Sequence, residues 1–312
     1  MPGKKIGLIG QYIDADVQLL KAKIEDRGGE AKIIDLSLFP DTVRGSITLE
    51  KVIFDDQDLL ELNAFYIRKL AAIWNLPVPD FNKEDWAVYY ERFNDYMDNF
   101  RAIHSFKISL ARILCERKLV VNPYDAWDLH HLKIYQYFLL REKGFKVPDF
   151  VASNNFYVLR EFLEKYPAVE KPIVTGPVRR VYLEALETEK DLLRDRPIVY
   201  QEYIEGASIR AFVLGEQVIA ACVLPAKAWG VDASENIASM QPVVLPEDIN
   251  KEIVRAAKSL GMLFSGVDLQ YRESTGEFYF LECNVAPYFR PYDTQINADI
   301  GGKLADFLLE RA

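Results

Sequence analysis

Two apolar stretches toward the end of the chain, Phe264 to Arg272 and Glu277 to Val285, each hold an acid in the middle, Asp268 in one and Glu282 in the other. Apolar neighbours on both faces (Val267, Leu269, Tyr279, Leu281) mark strands with little water beside them, where a carboxylate needs a partner. The residues between them, Glu273-Ser274-Thr275-Gly276, suit a hairpin. With Ser274-Thr275-Gly276 as a three-residue loop and Gly276 left-handed, Glu273 faces Glu277, and counting outward sets Asp268 opposite Glu282. Facing carboxylates repel, and burying both is costly unless a cation lies between them. Asn284, two residues past Glu282, points to the same side. Asp268, Glu282 and Asn284 then form a hard-oxygen set of the kind magnesium shares with phosphate oxygens. A register one residue different separates the acids and leaves each solvated or paired with Lys or Arg, and the pattern alone keeps that reading open.

The remaining chain alternates helix and strand. A strand at Ile6 to Gly10, a helix at Val17 to Arg27 and a strand at Ala31 to Leu36 make a β-α-β opening, which names no function. Gly10 alone is not a dinucleotide loop. A helix over Arg101 to Arg117 leads to a strand at Leu119 to Val121 and the turn Asn122-Pro123, and a helix over Leu129 to Lys143 carries His130, His131 and Lys133 near its start. Beyond Asp149 come a strand at Val151-Ala152 and one at Val169 to Val174, with helices at Tyr157 to Lys165 and Glu184 to Leu193. Three strong strands follow at Ile198 to Ile204, Ser208 to Leu214 and Gln217 to Leu224, then a polar loop at Ser234 to Gln241 and a helix at Ile249 to Leu260. The helix Gly302 to Arg311 closes the chain.

With 312 residues, half of them hydrophobic, the chain can bury a large core. Its 38 basic and 47 acidic side chains leave a charge of −9, which argues against a nucleic-acid partner or anchorage to anionic lipid. Residues 50–98, with eleven acids against five bases, hold most of that excess. Cys115, Cys222 and Cys283 are too scattered for a disulfide framework or a CxxC metal site. No stretch supplies about 18 uncharged apolar residues in a row, so a cytosolic protein without a membrane partner is expected.

From Val120 onward the sequence resembles the ATP-grasp superfamily, most closely its RimK-type branch of carboxylate–amine ligases. The resemblance rests on an ordered series: Val121-Asn122-Pro123, Lys133 on a helix, Gly144 and Val147-Pro148; Lys171-Pro172; Tyr200 to Gly206 with Ile209-Arg210; Gly266-Val267-Asp268; and Leu281 to Pro287. Ala64 to Leu70 and Arg101 to Ser105 look like this branch's N-terminal lobe. The resemblance implies an α/β (α+β) ATP-grasp fold, with an N-terminal Rossmann-like lobe at 1–120, a central subdomain at 121–206 and a C-terminal subdomain with the metal site at 207–312.

It also implies ATP with Mg²⁺, or Mn²⁺ in its place. Lys133 and Lys171 would meet the phosphates as point charges, and Gln201, Glu202, Tyr203, Ile204, Glu205 and Asn236 would line the nucleotide. Arg210 would clamp a phosphate or a developing acyl phosphate. Asp268, Glu282 and Asn284 would hold the metal. The substrates would be a carboxylate and an amine, small molecule or peptide, and a homo-oligomer stays open. Three departures stand out. Ile173 to Arg180 replaces the family's Gly- and Ser-rich phosphate loop, with Arg179 and Arg180 offering charge instead of backbone donors. Ser208 stands where an acid is expected, which passes the ribose contact to Glu205. Ser234-Glu235-Asn236 stands where Arg-x-Asn is expected, which leaves Lys227 as the candidate cation.

Other chemistry-bearing residues have plain roles. Adjacent His130 and His131 on a helix point about 100° apart and do not chelate one ion easily. Cys283 alternates away from Glu282 and Asn284 into the core. The same fold hosts small-molecule kinases, and the departures leave room for a nucleotide-binding protein without turnover.

Overall fold

The computed structural model describes residues 3–70, 86–173, 178–188, 196–225 and 240–312. They form two compact units, one of Met1–Tyr124 with Gly301–Ala312, the other of Asp125–Ile300.

The first unit begins as its sequence reads. β1 (Lys5–Ile9), α1 (Ala15–Glu25) and β2 (Glu30–Ile34) form the β-α-β opening. A small antiparallel sheet of β3 (Gly45–Ile47), β4 (Val52–Phe54) and β5 (Gln57–Asp58) follows, then β6 (Ala64–Ile67), α2 (Trp86–Arg117) and β7 (Leu119–Val121). The parallel sheet has the order β2-β1-β6-β7. Ile6, Leu8 and Ile9 of β1 and all of β6 are buried, as parallel strands covered on both faces require. Asp14 caps α1 by accepting from the Asp16 and Val17 amides, and Val17, Leu20 and Ile24 face the core. The helix expected from Arg101 covers Trp86–Arg117 instead; the exposed, charged stretch around Glu91 to Asp95 has no apolar stripe to mark it as helix in the sequence.

In the second unit, the single helix expected at Leu129 to Lys143 is broken at Leu132 into α3 (Tyr124–His131) and α4 (Lys133–Glu142). The Leu132 backbone leaves the helical region (φ −103°, ψ 56°), so α4 starts afresh at Lys133. β8 (Phe150–Ser153), α5 (Phe156–Lys165), β9 (Ala168–Lys171), β10 (Arg179–Val181), α6 (Leu183–Thr188) and β11 (Ile198–Glu202) build an antiparallel sheet of order β10-β9-β11-β8. Its core is Phe156, Leu159, Ala168, Val181, Leu186 and Tyr200. A second antiparallel sheet, β14-β13-β12-β15-β16, combines β12 (Ala207–Leu214), β13 (Gln217–Val223), β14 (Gln241–Pro242), β15 (Phe264–Arg272) and β16 (Glu277–Asn284). α7 (Glu247–Ser259) covers it with buried Ile253, Ala256 and Ala257. After α8 (Arg290–Ile296), α9 (Ile300–Arg311) clusters with the first unit, where Asp306 pairs with Arg27 at 2.5 Å. Among the described residues no helix is long and apolar enough to cross a membrane.

The hairpin reaches the expected pairing by a different route. Its loop has four residues, not three, so pairing starts at Arg272↔Glu277 and runs to Leu269↔Phe280. A bulge at Leu281 then shifts the register by one, and Asp268↔Glu282, Val267↔Cys283 and Gly266↔Asn284 follow. The loop and bulge offset each other, which returns the two acids to facing positions. Gly276 is left-handed (φ +71°) as the turn requires.

Gly206 joins the two sheets at φ +137°, and a Cβ there would run into the carbonyl oxygen of Tyr271. We expect Gly206→Ala to lower stability by about 2 kcal/mol or more. Gly276→Ala, with open space around it, should cost about 1 kcal/mol through its backbone angle alone. Urea melts of the two variants check the difference; equal losses would mean that the Gly206 contact is not tight.

Candidate active site

Both sheets of the second unit, with α4, line a cavity of about 620 Å³, within the range of small-molecule sites. Lys133, Lys171, Gln201, Glu202, Tyr203, Ile204, Glu205, Arg210, Asp268 and Glu282 all border it. Asn284 lies beside them, its Nδ2 donating to Asp268 Oδ2 at 3.2 Å. Lys227 and Asn236 lie outside the described residues.

Charge organises the floor of this cavity. Arg210 and Asp268 face each other across β12 and β15 and bond twice, through Nε–Oδ1 and through Nη2–Oδ2 at 2.8 Å. Lys133, in the first turn of α4, reaches Glu282 at 3.4 Å. All four side chains are about four-fifths buried, with 18–21% exposure. Lys171 ends β9 and donates to the Tyr137 hydroxyl at 3.3 Å. The bare repulsion expected between the two acids is therefore corrected, since each already has a cationic partner from the chain. Burial by itself would raise the Glu282 pKa, but Lys133, Lys171, His130 and Arg210 outweigh it and hold the carboxyl below its usual range. Burial lowers the Lys171 pKa, against the pull of Glu282 and Asp268. Arg210 is held charged because Asp268, Tyr292 and Glu282 overcome its burial.

The segment that joins the two sheets, from Gln201 to Ser208, is fixed in detail. Glu202 Oε1 accepts from Arg272 Nη2 at 2.8 Å and Oε2 from the Asp149 amide at 3.3 Å. The Glu202 and Tyr203 amides donate to Asp149 and Pro167 carbonyls, so a base edge on this strand has to use its other main-chain groups. Gln201 is 1% exposed, and its Nε2 has no hydrogen-bond partner among the described residues. A buried orphan donor on a cavity wall suits a nucleobase acceptor. Ser208 Oγ donates to Gln270 at 2.8 Å, and Gln270 in turn to the Gly206 carbonyl at 2.7 Å. Ser208 therefore braces the hinge, while exposed Glu205 still borders the cavity. Arg179 is paired with Glu170 at 2.7 Å, and Arg180 stacks on Tyr203 at 4.6 Å.

Among the described residues no group of three His, Cys, Asp or Glu could hold a metal. The oxygen set here is two acids plus an amide, Asp268, Glu282 and Asn284, and it fits a hard divalent ion completed by phosphate oxygens. Sequence reading missed Gln136 and Tyr137. Their signal was spacing, since they follow Lys133 by three and four residues and so share its face of α4.

We expect Glu282→Gln to be less stable than the parent at neutral pH by about 1 kcal/mol, because Lys133 loses its partner. A lowered carboxyl pKa stabilises above the unfolded value and stops doing so as pH falls through the folded value. The gap between variant and parent should therefore shrink on acidification. Denaturant melts without ligand from pH 7 downward check this; a gap that stays constant with pH would contradict the pairing.

Comparison with known proteins adds a consistent set of likenesses. Residues 132–308 match the model of the RimK-like ATP-grasp domain. A tetrahydromethanopterin:alpha-L-glutamate ligase of Methanocaldococcus jannaschii is 26% identical over 254 residues, 75% of this chain and 86% of that protein. The solved ATP-grasp ligase PsnB, in complex with a precursor variant, Mg and ADP, superposes with a TM-score of 0.79 at 23% identity, over 100% of this chain and 99% of that one. The macrocyclase MdnC of Microcystis aeruginosa, bound to its precursor peptide MdnA, gives 0.77 at 19% identity, over 97% and 99%. These structures share the ATP-grasp fold with this chain.

Proposed function

This chain belongs to the RimK-like ATP-grasp family of carboxylate–amine ligases, and we propose that it couples an amino acid or peptide through ATP, Mg²⁺ and an acyl phosphate. The observation that carries this reading is the charge cluster: three cations, Lys133, Lys171 and Arg210, around two carboxylates, Asp268 and Glu282, in the lining of a cavity that Gln201 to Glu205 also border. Such a floor attracts a triphosphate and leaves oxygens for a divalent ion. The regions on either side of residue 206 act as the two nucleotide-gripping halves, and an N-terminal lobe that ends near residue 120 precedes them in the chain.

Gln201 and the strand to Glu205 hold the base and ribose. Lys133 and Lys171 neutralise and orient the phosphates. Asp268, Glu282 and Asn284 would hold Mg²⁺, which supplies charge compensation to the phosphoryl group in transfer. Arg210, kept in plane by its bidentate contact with Asp268, faces the accepting carboxylate. The carboxylate oxygen forms a bond to the γ-phosphorus as the bond to the β–γ bridging oxygen breaks, which gives ADP and an acyl phosphate. The amine nitrogen then attacks the carbonyl carbon, phosphate leaves with the former carboxylate oxygen, and the amine releases a proton. The glutamate and peptide partners named for the relatives support an amino acid or peptide on one side of the bond.

A screen of carboxylates and amines for ADP release tests the reading. ADP should require one of each, and ¹⁸O from a labelled carboxylate should appear in the released phosphate. ADP formed with a single hydroxyl substrate and no free phosphate would make the protein a kinase. Lys171→Ala should weaken ATP binding about tenfold, about 1.4 kcal/mol, with an unchanged far-UV spectrum. Binding as tight as in the parent would remove Lys171 from the site.

A further inference from the structure

β16 is an edge strand: β15 lies on one side, and no strand lies on the other among the described residues. At Cys283, between Glu282 and Asn284, both main-chain groups turn to that open side. The Cys283 amide donates to Gln136 Oε1 at 2.8 Å, and Gln136 Nε2 donates to the Cys283 carbonyl at 3.1 Å. Gln136 is 1% exposed and Cys283 fully buried, so water does not substitute readily for either bond. The side-chain amide thus acts as one residue of a neighbouring strand. Farther back along β16, the Phe280 amide donates to the Lys146 carbonyl at 2.8 Å. These two anchors bracket the bulge at Leu281, the place where β16 leaves its regular ladder with β15.

We propose that Gln136 is a positioning residue for the divalent-ion site: by clamping Cys283, it fixes where the flanking Glu282 and Asn284 present their oxygens. This rests on the reading of Asp268, Glu282 and Asn284 as the metal set. Lys133, which sits one turn earlier on the same face of α4, pairs with Glu282 from the side-chain end. One helix therefore sets both the backbone and the carboxylate of that ligand. Support of this kind behind a ligand changes metal affinity by about 10- to 100-fold when it is removed.

The test is Mn²⁺ binding, read from the loss of the free-ion EPR signal in the presence of a non-hydrolysable ATP analogue. Parent, Gln136→Leu, Gln136→Glu and Asn284→Ala would be compared. Gln136→Glu keeps the acceptor for the Cys283 amide and loses the donor for its carbonyl, so it serves if the leucine variant does not fold. Both Gln136 variants should bind Mn²⁺ about tenfold or more weakly, with metal-free affinity for the analogue unchanged. Lower thermal stability with parental Mn²⁺ affinity would overturn the proposal and leave Gln136 a purely structural residue. If Asn284→Ala also binds Mn²⁺ like the parent, the metal reading falls with it. If Asn284→Ala is weakened and the Gln136 variants are not, only the positioning role is refuted.

Discussion

The fold of the second unit turns on one arrangement of charge, a pair of mostly buried carboxylates that face each other across β15 and β16. Burying either without a counter-charge is costly. Arg210 answers Asp268 from the adjacent strand, and Lys133 answers Glu282 from the start of α4. The helix break at Leu132, the bulge at Leu281 and the hinge at Gly206 all serve this arrangement. Each sets a charged group or the wall beside it, and each departs from regular secondary structure near the cavity, where such departures concentrate.

On the proposed reading, the charge of this cluster suits a polyanion. Three cations stand against two acids in this cluster, and Arg210 is held charged. The surplus is positive in a chain whose total charge is −9. Long-range attraction of anions to the protein as a whole is therefore weak, and on the proposed reading selectivity for a triphosphate would reside in this local surplus and in the oxygens that a divalent ion would share.

Much of this was legible in the sequence because the informative signals were local. Acids inside apolar strands, a glycine at a turn and alternating periodicity gave the hairpin, the β-α-β opening and most strands. The facing of Asp268 and Glu282 was read correctly through a loop one residue too short, since sequence pattern did not reveal the compensating bulge. The cationic partners were legible only as members of an ordered motif series. The pairing of Lys133 with Glu282 depends on how α4 meets β16, and that of Arg210 with Asp268 on how β12 meets β15, long-range relations with no local mark. Gln136 shows the limit most clearly: a polar residue at helical spacing looks like surface until the edge strand it completes is known.

The most direct measurement is a crystal structure with a non-hydrolysable ATP analogue and Mn²⁺, with the ion located by its anomalous signal. The account predicts a peak bounded by Asp268, Glu282 and Asn284, with the phosphates against Lys133 and Lys171 and the base beside Gln201. An analogue bound in this cavity with the ion elsewhere, or with Lys133 and Arg210 still closed on the two acids and no peak between them, would contradict it.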